Sequence, residues 1–343
     1  PLRGTGPWVS SSAMSFFAVL FALMLEQIKP LPRDNWVHDA LASWTRWAGR
    51  NFDAGRPHHA RIVWVVTVLV PAGAAALIHV LISRYSFFLA LAFDVLAIYL
   101  TLGFRQFSHY FTDIREALER GDEEHARRLL AEWRHLDVSE LPRTELLRHV
   151  IEHSLLAAHR HVFGVFFCYV VLAALGLGPA GAVAYRMAEF ASRYWGFRHR
   201  TLEAPANDGL YELAVEIFGW IDHIPARLTA FGFAVVGNFE EAVAGWRRDA
   251  GLWQYANEGI ILAAAAGAVG VQLGGSAAPG VTPDRSKTFP AAGAEASAVS
   301  AEGSTGGAPP QPGHLQSVVG LVWRSVVLWM LLVALLTLAN VLG

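Results

Sequence analysis

The stretch 62–83 reads IVWVVTVLVPAGAAALIHVLIS, 22 positions in which only Pro71 and His79 break an apolar run. A hydrocarbon core of ~30 Å needs about 20 such residues in a helix, so this stretch predicts a membrane span. A single proline or histidine is tolerated where a span faces protein rather than lipid. Three more stretches reach the same length: 86–104 with Asp94 as its one ionisable group, 162–181 with none, and 318–343 with only Arg324. Four spans are therefore expected.

Three shorter segments lie between and before them. Segment 15–25 is apolar over 11 positions, without the basic lead or small-residue cleavage site of a signal peptide, and reads as an uncleaved anchor. Segments 226–237 and 260–273 have the length of re-entrant, interfacial or buried pieces, and the second is rich in Ala and Gly, which suits close helix packing. Up to seven membrane segments follow. Barrel-type alternation is absent and irregular backbone is excluded from lipid, so the expected fold is an all-α integral membrane protein, a multi-span helical bundle with helical cytoplasmic loops.

The composition agrees. Of 343 residues 54% are apolar and only 16% charged, and mean hydropathy is +0.35, against about 25% charged in soluble domains. Twenty-seven basic and 29 acidic residues nearly cancel, so no global field points to nucleic acid. The single cysteine, Cys168, excludes an intramolecular disulfide framework and any multi-cysteine metal site.

Basic residues set the expected orientation. Loop 29–61 carries six Lys/Arg and loop 105–161 carries nine, while the turn between the first two long spans holds only Arg84. Both large loops are then cytoplasmic, in a multi-pass membrane protein. Within 105–161, Asp113 to Arg120 and Glu123 to Trp133 read as a helical hairpin with Asp122 as N-cap, and Ser139 as the cap of a third helix that runs into the membrane. The organisation expected is an N-terminal extension at 1–13, a bundle at 14–275, a flexible loop at 276–314 and a C-terminal transmembrane helix at 315–343. The 276–314 stretch is Gly-, Ala-, Ser- and Pro-rich and too poor in large apolar residues to offset the entropy of ordering.

Few positions speak of chemistry. His149, Glu152 and His153 match the H-x-x-E-H pattern of zinc hydrolases, but no further acidic ligand stands out, and the same residues suit the polar side of a helix next to the membrane. No metal or cofactor site is expected. His159 and His161 stand where the apolar run 162–181 begins and read as interface markers. Asp94 and Arg324 are functional candidates because charge inside lipid is expensive, although Arg324 is close enough to the end of its segment to snorkel. Phosphate-cradling, nucleophile-elbow and dinucleotide fingerprints are absent.

Residues 176–186 (GLGPAGAVAYR), 223–229 (HIPARLT) and 267–275 (GAVGVQLGG) occur in the order of the CobD/CbiB family, which this sequence resembles over 120–275. Ala126-Arg127-Arg128, Asp137, Ser139-Glu140-Leu141, Arg148, Glu152, and Asn257 with Gly259 also fall where that family has like residues. The resemblance implies a membrane protein of cobalamin biosynthesis, an ATP- and Mg-dependent ligase that forms an amide on a corrin side chain. The same resemblance exposes departures. His135-Leu136-Asp137 replaces a Gly-Arg-Asp, Leu155-Leu156-Ala157 an Ala-Glu-Asn, and Arg160-His161 an Asp-Gly. Glu189 to Arg193 replace an Asn-Thr-Leu-Asp-Ser run, and Phe218-Gly219 stand in place of paired aspartates.

The segments FAVLFALMLEQIKPL (17–31) and FRQFSHYF (104–111), with Arg160 before VFGVFFCYVVL, resemble the AmpE-like branch of the superfamily, inner-membrane accessory factors tied to β-lactamase induction and cell-wall signalling. That resemblance implies an accessory or regulatory membrane protein, and the alternative is a divergent adenosylcobinamide-phosphate synthase. Under the first, Asp137, Arg148, Glu152, Arg227 and Asn257 would line a pocket for a small ligand, a corrinoid or a cell-wall fragment. A plainer reading makes Arg148–Glu152 an i,i+4 helix pair and Arg227 a helix-start residue. Apart from the lipid bilayer, the sequence names no partner.

Overall fold

A computed structural model describes residues 7–28, 36–53, 57–102, 104–134, 141–200, 208–275 and 301–342. Every regular element among them is helical. In chain order these are α1 (Pro7–Ile28), α2 (Trp36–Phe52), α3 (Pro57–Ser83), α4 (Phe87–Thr101), α5 (Phe104–Glu119), α6 (Glu123–Arg134) and α7 (Arg143–Ala158). A π-turn (His159–Phe163) leads from α7 into α8 (Gly164–Ala174). Then come α9 (Ala180–Arg200), α10 (Asp208–Ile221), α11 (His223–Val236), α12 (Phe239–Asp249), α13 (Ala256–Val269) and α14 (Pro312–Leu342). The protein is an all-α membrane bundle.

Three helices are long and apolar enough to cross a membrane: His58–Ser83, Arg143–Ala174 and Pro312–Ala339. Met14–Ile28, Phe87–Thr101, His223–Val236 and Ala256–Val269 are shorter apolar helices. The seven coincide with the seven segments marked by hydropathy, with two differences. The 86–104 segment forms a helix of only 15 residues, about 22 Å long at 1.5 Å per residue. The 162–181 segment is displaced: its helix ends at Ala174, where Gly176 and Gly178 take left-handed backbone ahead of Pro179, and it begins at Arg143. The third helix expected to run into the membrane is this one; its expected cap, Ser139, lies outside the described residues, and Pro142 precedes the first turn. His159 and His161, read as interface markers, are 1% and 0% exposed inside this helix, which corrects that expectation.

The described residues group into two units. Unit 1 comprises Pro1–Gly103, His161–Ile221 and Trp329–Gly343. In it α1 packs on α4 and α8, and α3 on α4, α9 and α10. Gly181 lets α9 approach α8 closely, because a Cβ there would collide with the carbonyl oxygen of Cys168. Asp94 is fully buried among the apolar helices and faces His79 at 2.7 Å and the Tyr169 hydroxyl at 3.2 Å. An ionisable group at such a position is held by partners on α3 and α8 rather than by water. Arg324, which belongs to the second unit, is exposed and turns its Nε onto the carbonyl of Gly320.

Unit 2 comprises Phe104–Arg160 and Asp222–Leu328. The α5–α6 hairpin forms as its pattern predicts, with the Asp122 carboxylate accepting from the His125 N–H at 3.0 Å. Helices α11, α12 and α13 pack on one another, and α7 packs on α13. Residues Gly259 to Ala266 of α13 are all buried, Gly259 and Ala263 to Ala266 being small enough for close packing and Ile260 to Leu262 wholly apolar. Residues 301–308, within the stretch expected to be a flexible loop, are hydrogen-bonded to 270–275: Gln272 N–H to Ala308 at 2.8 Å, Thr305 N–H to Leu273 at 2.7 Å, Gly275 N–H to Gly303 at 2.7 Å.

Candidate functional site

Helix α7 is unusual in burying ionisable residues on all faces: Arg148, His149, Glu152 and His153 are each 6% exposed or less. Burying such groups costs several kcal/mol apiece unless each is paired. Their partners therefore define the polar interior of unit 2.

Where α7 ends, the π-turn changes the helical register, a distortion often found at functional sites. It sets His159 between two groups of the α11 region. Nε2 of His159 lies 2.8 Å from Oδ1 of Asp222, and Nδ1 lies 2.9 Å from the Thr229 hydroxyl. A carboxylate only accepts, so in the neutral ring Nε2 carries the proton and Nδ1 accepts from Thr229. The other Asp222 oxygen accepts from Asn257 Nδ2 at 3.4 Å, and the Asn257 carbonyl oxygen accepts from Arg227 at 3.4 Å. Arg227 also caps the carbonyl of His223 at 2.8 Å. One residue on, Arg160 donates to Glu258 at 2.5 Å. Glu258 sits in the first turn of α13, where the helix dipole favours an acid.

One turn and more back along α7, two residues grip a single glycine. Glu152 accepts from the Gly274 N–H at 2.7 Å, and Arg148 donates to the Gly274 carbonyl while also pairing with Glu145. Gly274 has φ +79°, and a Cβ there would stand 2.5 Å from the Gly303 carbonyl oxygen, so the clamp requires glycine. The H-x-x-E-H residues serve other ends. His149 is 3.9 Å from Glu152, and the His153 ring meets Trp133 edge-on at 4.2 Å. Among the described residues no three His, Cys, Asp or Glu side chains are grouped to hold a metal ion.

Unit 1 has a buried cluster of its own. Arg186 lies 2.8 Å from Nδ1 of His161 and 3.0 Å from Glu189, which also pairs with Arg193. Glu189 and His161 are fully enclosed.

Of the five residues expected to line a pocket, Arg227 and Asn257 meet directly, and Arg148 and Glu152 meet through Gly274. Asp137 lies outside the described residues. Asp222 and Glu258 stand outside the quoted motifs, one immediately before HIPARLT and the other between Asn257 and Gly259, while Thr229 ends HIPARLT without a role that its position announces. The partners of Asp222, Thr229 and Glu258 are 63, 70 and 98 residues away in the chain, distances no local pattern spans.

Comparison with known sequences agrees with these motifs. The family described as CobD/Cbib protein matches residues 16–300. A protein of Stutzerimonas stutzeri described as "Cobalamin biosynthesis protein CobD" is 29% identical over 331 residues, 92% of this chain and 96% of that protein. One of Chromobacterium violaceum with the same description is 32% identical over 192 residues, 53% of this chain and 55% of that one. No solved structure matches. The fold and its buried polar interior define a helical membrane protein, and the chain belongs to the CobD/CbiB family.

A magnesium–nucleotide site needs carboxylate and carbonyl oxygens turned toward the ion. Here Glu152 is taken up by a backbone amide, Asp222 by His159, Glu258 by Arg160 and Glu189 by two arginines. Arg160 stands where the resemblance would place an aspartate. The described donor set does not fit such a site.

Proposed function

We propose that this chain is an AmpE-like accessory or regulatory protein, multi-pass in the bacterial inner membrane with loops 29–61 and 105–161 cytoplasmic. On this reading it recognises a small molecule, a corrinoid or a cell-wall fragment, and does not form an amide. The observation that carries it is the Arg160–Glu258 ion pair, which places a cation at a position of the synthase pattern's acid and neutralises a carboxylate beside Asn257. Arg227 and Asn257 are the groups assigned to the ligand, because each joins the network through contacts of 3.4 Å that a ligand oxygen can replace without leaving a buried charge unpaired.

The test is equilibrium binding to the purified protein in nanodiscs, with corrinoids and muropeptides titrated separately. Saturable binding that weakens at least ten-fold in Arg227→Ala and Asn257→Ala supports the reading. Absence of binding by both classes counts against it.

The second reading is a divergent adenosylcobinamide-phosphate synthase-type enzyme. It is favoured by similarity running along 96% of a protein described as a cobalamin biosynthesis protein. In that case Asp137, outside the described residues, with Glu152 released from the Gly274 amide and Asp222 from His159, would be the acids that serve substrate and metal.

A further inference from the structure

The amphipathic helix α2 carries two faces of different chemistry. His38, Ala42, Thr45 and Ala48 are buried, and the helix packs on α3 and α9. On the opposite side Trp36 and Trp47 are 68% and 45% exposed. At 100° per residue these two rings stand only about 20° apart around the axis, although 11 positions separate them. Ser43, Arg46 and Arg50 occupy the same exposed side, with Asp39 as its one acid. Trp47 stacks on Trp44 at 4.9 Å and meets Phe52 edge-on at 5.6 Å, so the rings around Trp47 form a packed aromatic ridge.

The place of α2 in the chain says what covers that ridge. Helix α3, long and apolar enough to cross the membrane, begins at Pro57, only a few residues after Phe52. Trp44 Nε1 donates to the carbonyl of Thr67 at 3.3 Å, so the middle of α2 lies about 8 Å past the start of the apolar run at Ile62, the depth of an interfacial helix. Exposed tryptophans favour that depth, since the indole ring is apolar with one polar N–H. Arginines beside them match lipid phosphates, and each basic residue near an anionic surface strengthens association about five-fold.

We propose that α2 is an in-plane interfacial helix that seats Trp36 and Trp47 among the headgroups and binds anionic phospholipid through Arg46 and Arg50. The occupant of this face is the bilayer surface and not a protein.

The test uses the full chain with Cys168→Ser and a nitroxide attached at Ser43→Cys, reconstituted in nanodiscs. The discs are phosphatidylcholine alone or with one-third phosphatidylglycerol. Collision with oxygen and with a water-soluble nickel complex reports depth, and a label at Glu124→Cys, an exposed site on α6, supplies the aqueous reference. The expected result is a several-fold lower nickel accessibility at position 43 than at 124, lowest with phosphatidylglycerol. Arg46→Gln with Arg50→Gln should remove the dependence on phosphatidylglycerol. Nickel accessibility at 43 equal to that at 124 in both lipids overturns the proposal. So does low accessibility that is the same in both lipids and unmoved by the arginine replacements, since that marks a face covered by something other than anionic lipid.

Discussion

Arg160 and Glu258, one at the π-turn that follows α7 and the other in the first turn of α13, face each other at 2.5 Å with side chains 10% and 17% exposed. Removing one partner leaves the other charged and poorly solvated. Glu258→Gln should lower stability by about 2 kcal/mol, less than the ~3–5 kcal/mol of a fully enclosed pair because some water reaches the glutamate. Arg160→Leu combined with Glu258→Leu should cost less than the two single changes added together. Thermal unfolding in detergent of the four proteins gives the coupling, and strict additivity would show that the pair is incidental.

His159 is positioned by Asp222 and Thr229 from opposite sides of its ring. Thr229→Val keeps the volume and removes the hydroxyl, so it should cost about 1 kcal/mol. Asp222→Ala removes the carboxylate from both His159 and Asn257 and should cost more. Nitrogen NMR of labelled histidine should report Nε2 as the protonated nitrogen of the neutral ring, and a mixture of tautomers in Asp222→Ala.

Gly274 is held at both its amide and its carbonyl. Gly274→Ala forces an L side chain into left-handed backbone, at about 1 kcal/mol or more, and drives its Cβ against Gly303. Hydrogen exchange at 271–275 and at 301–308 should rise together in this variant and in Glu152→Leu. Acceleration limited to one of the two segments would contradict their pairing.

Asp94 and His79 form the corresponding pair inside unit 1, with 0% and 5% of their side chains exposed. Asp94→Leu strands a histidine among apolar helices and should destabilise by about 3 kcal/mol, whereas Asp94→Leu with His79→Leu should recover much of that loss. Denaturation of both variants in the same detergent checks the difference.

Hydropathy made the architecture readable, because lipid demands long apolar helices and few other chains contain them. It misplaced the bounds of the 162–181 span by reading polarity as solvent exposure, although the helix pattern of 139–155 already led into it. Arg148, Glu152, His159 and His161 are polar and buried, and only their partners show why a helix tolerates them there. Arg227 and Asn257 were visible in short motifs, and the structure brings them together. Asp222 and Glu258 were not, although they adjoin the same motifs. An acid's role depends on which cation it meets, and His159 and Arg160 come from a distant part of the chain.

Whether this chain makes an amide is decided by one assay. Purified protein in nanodiscs is incubated with adenosylcobyric acid, an aminopropanol donor, ATP and magnesium, and products are resolved by mass spectrometry. No amide product is expected, with the Arg160→Asp, Glu258→Ala variant equally inactive. ATP-dependent product that disappears in Glu152→Ala or Asp222→Ala would contradict that expectation and establish the synthase reading.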